Sequence, residues 1–274
     1  MLIRPNAKIN LGLNIVSRRP DGYHNLQTVF YPINLRDELE IDARPDTTDI
    51  TFTTTGGIAL DCEDEDNLIV KTCRLFQRLY NTGGFDIRFK KNIPFGAGLG
   101  GGSSDAAHTA MAINELYHLN LSKEELKNAV SHLGADCAFF IENRACYAEG
   151  IGNILTSVDI SLKGYTLLLV KPDIHVSTKE AYRGITARMP ETGIKDIIRL
   201  PVEEWRDRLC NDFEHSVFSA HQEIGTIKNR LYGMGASYAS MSGSGASVFG
   251  LFKREIHEDE LSCLSDCFVH TESF

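Results

Sequence analysis

The chain has 274 residues, 42% hydrophobic and 24% charged, which suits one large or two smaller globular domains and excludes a disordered chain. Its formal net charge of −9 excludes a protein that grips nucleic acid through its overall field, yet leaves room for a local phosphate site. Seven scattered cysteines without a C-x-x-C read as reduced thiols, and no stretch has the form of a signal peptide or membrane span, so a soluble cytoplasmic protein is expected.

"KINLGLNIV" (8–16) alternates at the strand period, with Ile9, Leu11, Leu13 and Ile15 on one face. Pro-Asp-Gly in "RRPDGYHNLQ" marks a turn. "ELEIDA" (38–43) and "DITFTTT" (49–55) read as strands with one solvated face. The period changes in "DEDNLIVKTCRLFQRLY" (64–80), which predicts a helix with Leu68, Leu75 and Leu79 near one face, joined by Ile69 and Phe76. "FDIRFK" (85–90) is then a strand. Ser122 and Glu125 form a capping box for a helix that Gly134 can end. "YTLLLVKP" (165–172) reads as a buried strand, and Ser177 caps a helix in "STKEAYRGI". "AHQEIGTIKNRLYGMG" is helical, and "ASYASMSGSGASVFGLF" is a small-residue loop followed by a strand. The tail "IHEDELSCLSD" reads as helix and "CFVHTESF" as a last strand. Strands and helices mix without regular βαβ alternation, so the expected class is α+β, with two lobes meeting near residue 155.

"PFGAGLGGGSSDAAHTA" (94–110) places five glycines within seven positions just before a helical pattern. Gly96, Gly98 and Gly101 spell G-x-G-x-x-G, but "KNIP" separates them from the preceding strand and Glu115 sits inside the helix, which disfavours a dinucleotide fold. A Walker loop fails because no Lys-Ser/Thr follows the last glycine. Two readings stay open, a tight structural loop and a phosphate cradle. For the cradle, glycines permit positive φ and close approach, and a helix opening at Ser103 and Ser104 presents unpaired amides to an anion. Ala106, Ala107, Ala110 and Met111 would face inward.

Three segments carry a resemblance: "PNAKINLGLNI" near the N-terminus, "PFGAGLGGGSSDAA" in the middle and "SMSGSGASVF" towards the C-terminus. In that order they resemble the three motifs of the GHMP kinases. "RRPDGYHNLQTVF", "DEDNLIV" and "LGADCAFF" resemble the branch that phosphorylates the 2-hydroxyl of 4-diphosphocytidyl-2-C-methyl-D-erythritol in the non-mevalonate isoprenoid pathway. The chain departs from the commoner pattern at Cys137–Ala138 and at Asp105, where asparagine is frequent. Neither departure removes a catalytic group.

The resemblance implies a two-lobed GHMP-kinase fold. Residues 1–155 would form a mixed-sheet, ATP-binding N-terminal domain and residues 156–274 a ferredoxin-like α/β C-terminal domain. It also implies ATP and Mg²⁺, with Lys8 and Asp136 as the catalytic pair, for which a simple buried ion pair is the competing reading. Pro94, Phe95, Gly96, Ala97, Gly98, Leu99, Gly100, Gly101, Gly102, Ser103 and Ser104 would surround the phosphates, with Ser104 a candidate metal contact. Asn67 and Lys91 would lie on the adenine side; the alternatives are a helix cap and a solvated loop charge. Tyr23 and Tyr182 would sandwich cytosine with His24 at its edge, and Asn10 and Thr178 would contact the polar remainder. Ser242, Gly243, Ser244 and Gly245 would close over the phosphates or the substrate, although a plain hairpin loop reads similarly. The expected partner is the small molecule alone, without nucleic acid or membrane, and the expected state is a monomer or weak homodimer. The competing functions are a GHMP kinase for another alcohol such as mevalonate, and a catalytically silent nucleotide sensor.

Overall fold

The computed structural model describes residues 1–60 and 62–274. In chain order the elements begin β1 (Leu2–Ile3), β2 (Asn6–Arg18), β3 (His24–Arg36), β4 (Glu38–Arg44), β5 (Ile50–Gly57), α1 (Leu68–Tyr80), β6 (Gly84–Lys91), α2 (Gly101–Leu116), α3 (Lys123–Val130) and α4 (Cys137–Glu142). They continue with β7 (Cys146–Glu149), β8 (Ile154–Ser157), β9 (Thr166–Pro172), α5 (Thr178–Ala181), α6 (Ile194–Ile197), α7 (Phe213–Ala220), α8 (Gln222–Gly233), β10 (Tyr238–Met241), β11 (Val248–Phe252) and β12 (Cys267–Ser273). Two compact units interleave along the sequence. One comprises Met1–Lys8, Pro32–Phe95 and Gly100–Arg144; the other comprises Ile9–Tyr31, Gly96–Leu99 and Ala145–Phe274.

The first unit is built on a mixed four-stranded sheet, β1-β4-β6-β5, in which only the β5–β6 pair is parallel. Alternation sets its register. Leu39 and Ile41 on β4 and Phe85, Ile87 and Phe89 on β6 are buried, while their neighbours pair across the outer face, as in Arg88–Glu40 at 2.8 Å and Lys90–Glu38 at 3.1 Å. Each buried side chain contributes about 1.5–3 kcal/mol, whereas water screens the exposed pairs, so the apolar face decides the pairing. In α2, Ala106, Ala107, Ala110 and Ile113 are fully buried, and their small size lets α1 and α4 approach closely. Met111 is only half-buried. The α1 stripe differs from the sequence expectation. Ile69, Val70, Cys73 and Phe76 are buried, whereas Leu79 is 53% exposed. Thr72 joins the buried face because its hydroxyl donates to the Leu68 carbonyl at 2.7 Å. The acids of 64–66 form a separate 3-10 turn before Asn67 starts α1.

The second unit holds a wholly antiparallel sheet of order β12-β9-β11-β10. Numbered along the chain these strands lie 4-1-3-2, the ferredoxin-like arrangement, with α8 packed on β9, β10 and β11. Its core gathers Leu168, Val170, Val217, Ile224, Leu231, Met241, Val248 and Phe252. The third sheet, β2-β3-β7-β8, contains the N-terminal strand expected from its alternation. β1, β3, β7, β8 and β10 were not expected. Pro32 interrupts the β3 pattern, and the small residues of β10 read as loop although all four of its positions are buried. The segment near 258 is 3-10 helix, Glu258–Leu264. Among the described residues no helix is long and apolar enough to cross a membrane.

Candidate active site

Lys8 is 3% exposed on β2, a position that a lysine keeps only with a partner. The partner is Asp136, with Nζ 3.5 Å from Oδ2. The exposure of the two side chains is unequal, 4% for Lys8 and 26% for Asp136, so the carboxylate is the more accessible of the two. Burial pulls the Lys8 pKa below the ordinary lysine value, and the Asp136 charge opposes that fall. Asp136 stands at the N-cap position of α4, but its side chain does not cap that helix and remains available.

Gly100 connects this pair to α2. It is the N-cap of α2 with φ +69°, and a Cβ there would lie 3.0 Å from the Phe140 ring and 3.2 Å from Lys8 Cε. No side chain caps α2, so the first N–H groups of a 16-residue helix lack intrahelical acceptors beside Lys8. Glycines also open that helix: a Cβ on Gly101 would sit 3.1 Å from Lys91 Nζ and one on Gly102 3.2 Å from Leu68. The Ser104 hydroxyl turns back into α2, 3.3 Å from His108 Nδ1. That nitrogen also lies 2.9 Å from the Ser104 carbonyl and must carry the proton, since a carbonyl only accepts. Ser103 lies at the half-buried start of the helix, where a Cβ on Gly134 would meet its hydroxyl at 2.7 Å.

Lys91 is not a solvated loop charge. It is 2% exposed, and its Nζ donates to Asp37 Oδ2 at 2.5 Å and Asp105 Oδ2 at 2.9 Å. The second Asp37 oxygen accepts the N–H groups of Asn92 at 2.6 Å and Ile93 at 2.8 Å. The second Asp105 oxygen is buried without a partner. Burial pushes the Asp105 carboxyl up to about 7 against the pull of Lys91. Lys91 itself is held above its ordinary value by the two carboxylates, which overcome its burial. Nearby, Pro94 is buried and the half-buried Phe95 ring lies 5.3 Å from Lys91 Nζ. Asn67 caps α1, its Oδ1 accepting the Ile69 N–H at 2.9 Å.

In the second unit, Gly96 and Gly98 have φ of +55° and +72° and flank the buried Ala97, with Leu99 buried beyond them. Two other segments hold this stretch. Ala246 N–H donates to the Gly96 carbonyl at 3.1 Å, Ser247 N–H to Ala97 at 3.3 Å and the Ser242 hydroxyl to Gly98 at 3.0 Å. The glycine motifs near residues 98 and 242, 144 positions apart, are thus one hydrogen-bonded structure. Gly243 and Gly245 turn the chain with φ of +55° and +87°, and half-buried Ser244 lies between them. Asn10 ties in β2: its N–H donates to Ser242 Oγ at 3.2 Å and its Nδ2 to Thr28 Oγ1 at 2.9 Å. His175 lies close against Gly96, where an added Cβ would meet its Nδ1 at 2.6 Å.

Asn211, absent from the sequence expectations, supports this region. It is 3% exposed, its Nδ2 donates to the Met241 and Gly243 carbonyls at 2.8 Å each, and its Oδ1 accepts the Phe213 N–H at 3.0 Å. Only its burial-demanding neighbours reveal it, since a lone asparagine carries no motif. Asn211→Ala leaves those three groups unpaired, so a loss of about 2–4 kcal/mol is expected in urea denaturation, well beyond a surface change.

His24 and Tyr182 come together in the second unit, with ring centroids 4.7 Å apart and planes at 21°. Tyr182 also meets Phe213 edge-on at 4.8 Å. Tyr23 is 63% exposed on the turn before β3, and Thr178 is exposed at the start of α5.

Residues 67–144 match the GHMP kinases N terminal domain and residues 194–263 the GHMP kinases C terminal domain. The chain is 53% identical over 269 residues to the 4-diphosphocytidyl-2-C-methyl-D-erythritol kinase of Parabacteroides distasonis, covering 98% of each chain. It is 52% identical over 255 residues to the same-named protein of Bacteroides thetaiotaomicron, covering 93% of each. Its fold is similar to a crystal structure of 4-(cytidine 5'-diphospho)-2C-methyl-D-erythritol kinase, with TM-score 0.81, 29% identity, and coverage of 99% of this chain and 98% of that one. A mevalonate kinase shares the fold at TM-score 0.67 with 16% identity, covering 99% of this chain and 98% of that one. Identity extends over both matched regions and the fold agrees from end to end, so the chain belongs to the GHMP kinases.

Proposed function

We propose that the chain transfers the γ-phosphoryl group of ATP to the 2-hydroxyl of 4-diphosphocytidyl-2-C-methyl-D-erythritol, a step of the non-mevalonate isoprenoid pathway; its relatives carry the name 4-diphosphocytidyl-2-C-methyl-D-erythritol kinase. The observation that carries this reading is the Lys8–Asp136 pair lying against Gly100, at the uncapped end of α2. Asp136 accepts the hydroxyl proton and aims the oxygen. Lys8 supplies positive charge to the oxygens around phosphorus. Phosphoryl transfer depends chiefly on positioning and charge, which a buried ammonium, glycine turns and helix amides supply.

The glycine backbone and the α2 amides fit a polyphosphate. Among the described residues no three His, Cys, Asp or Glu side chains are grouped to hold a metal ion. Mg²⁺ would be carried by the nucleotide's phosphate oxygens and water, where it would neutralise developing charge. Cytosine recognition falls to Tyr23, His24 and Tyr182. A base stacking on the Tyr182 face that His24 now covers would displace the imidazole to the base edge. Asn10 and Thr178 would face the polar remainder. Seven cysteines without a C-x-x-C suit a reducing cytoplasm, where the enzyme would act on its small substrate as a monomer or weak homodimer.

The test is ADP release from Mg-ATP with a panel of alcohols, and phosphorus NMR of the product. Release should require the cytidine compound and should fall by about tenfold or more with its uridine counterpart, whose base edge offers the wrong hydrogen-bond pattern. Equal turnover of mevalonate would assign a different alcohol. Nucleotide binding without any turnover would make the chain a sensor.

A further inference from the structure

The glycine segment leaves the sheet after β6 and ends in α2, and both of its stems meet one buried cluster. On the leading stem, Lys91 supplies the ammonium, and Asn92 and Ile93 donate their N–H groups to Asp37 Oδ1. On the trailing stem, Asp105 of α2 accepts from the same ammonium. Asp37, between β3 and β4, is fully buried and uses both oxygens. Lys91 Nζ also lies beneath Gly101, where it limits how the first turn of α2 can move.

We propose that Asp37, Lys91 and Asp105 are positioning residues for the nucleotide: they clamp the two stems of the glycine segment so that the first turn of α2 is presented to the phosphates. This rests on the kinase reading above. Lys91 acts through that turn, because both hydrogen bonds of its buried Nζ go to protein carboxylates.

The cluster is also asymmetric. One ammonium meets two carboxylates, and only Asp37 has backbone donors for its remaining oxygen. Asp105 has a buried oxygen without a partner. The Asp105 link therefore needs an acceptor for Lys91 but not a second negative charge. An asparagine there keeps the acceptor and adds a donor beside the Asp37 carboxylate, which shares the Lys91 ammonium with Asp105. A leucine removes the tie to α2 and leaves Lys91 and Asp37 as a one-to-one pair, without an uncompensated buried charge.

Calorimetric titration with Mg-ATP, followed by steady-state kinetics, separates these roles. Asp105→Leu should weaken Mg-ATP binding and raise its KM by about tenfold, with kcat and the alcohol KM within about twofold of the parent. Asp105→Asn should bind Mg-ATP within about twofold of the parent. Parent-like nucleotide affinity in Asp105→Leu, equal impairment of the two variants, or a joint change in kcat and both KM values would overturn the proposal. Hydrogen exchange on the parent protein gives a test that does not depend on a variant folding: the Asn92 and Ile93 amides should exchange as slowly as those of β6, and loop-like exchange would overturn the clamp. A parent protein that binds no Mg-ATP would instead remove the kinase reading itself.

Discussion

Asp136→Asn should lower kcat by about two to four orders of magnitude while the KM for ATP stays close to the parent value. The amide nearly matches the carboxylate in size, so α4 and the Phe139–Phe140 contact, with centroids 4.9 Å apart, have no reason to move. What disappears is a basic oxygen on a side chain that is 26% exposed and a negative charge 3.5 Å from a buried ammonium. The second loss reinforces the first. Burial already pulls the Lys8 pKa below that of an ordinary lysine, and the Asp136 charge is what opposes it. In the variant Lys8 sheds its proton at lower pH than in the parent. As pH rises, therefore, residual activity should decline earlier than parental activity on the alkaline side. A pH–rate profile with purified protein measures both effects. A near-parental kcat would remove Asp136 from the chemistry, and an unmoved alkaline limb would remove the coupling to Lys8.

Local pattern made much of the fold legible. Alternation in 8–16 and 85–90 and the Ser122–Glu125 box depend on neighbours in sequence, and they reappear as β2, β6 and the cap of α3. Features decided by distant partners were less readable. In α1 the leucines suggested one stripe, but the packed face runs through Cys73 and Thr72, and the threonine's burial depends on a bond to its own helix. β10 looked like loop because small residues carry little hydrophobic signal, although β11 pairs with all of it. The site shows the same division. The glycine clusters and the Lys8 and Asp136 motifs were visible as local sequence. Asp37 and Asn211 were not, because each matters through groups 54 and 30 or more positions away in the chain. Nor did the sequence show that the amide of Asn10 would be engaged by Thr28, or that Lys91 would be buried between two carboxylates.

Gly98→Ala should be among the most damaging single-methyl additions in the chain, at about 3–5 kcal/mol. Two effects add. At φ +72° an alanine adopts a left-handed backbone at about 1–2 kcal/mol. Its Cβ would also overlap the Ser242 carbonyl oxygen and lie 2.8 Å from the carbonyl carbon, and neither is the end of a flexible side chain. Ser242 cannot retreat freely. Its own N–H is bonded to the Ser247 carbonyl at 2.9 Å and its hydroxyl to Gly98 at 3.0 Å, while Asn211 holds Met241 and Gly243 on either side. Relief must therefore come from separating the two glycine segments, which breaks the bonds from Ala246 and Ser247 and loosens the turn that would face the phosphates. Gly164→Ala isolates the backbone effect, since φ is +88° there and nothing lies within 4 Å of an added Cβ. Only about 1–2 kcal/mol should be lost at that position, with unchanged kinetics. At about 2–4 °C per kcal/mol for a chain of this size, the two variants should melt well apart. Gly98→Ala should also lose most of its ATP affinity in conditions where it remains folded. If both variants melt together and use ATP like the parent, close contact between the glycine segments is not what the fold requires of residue 98.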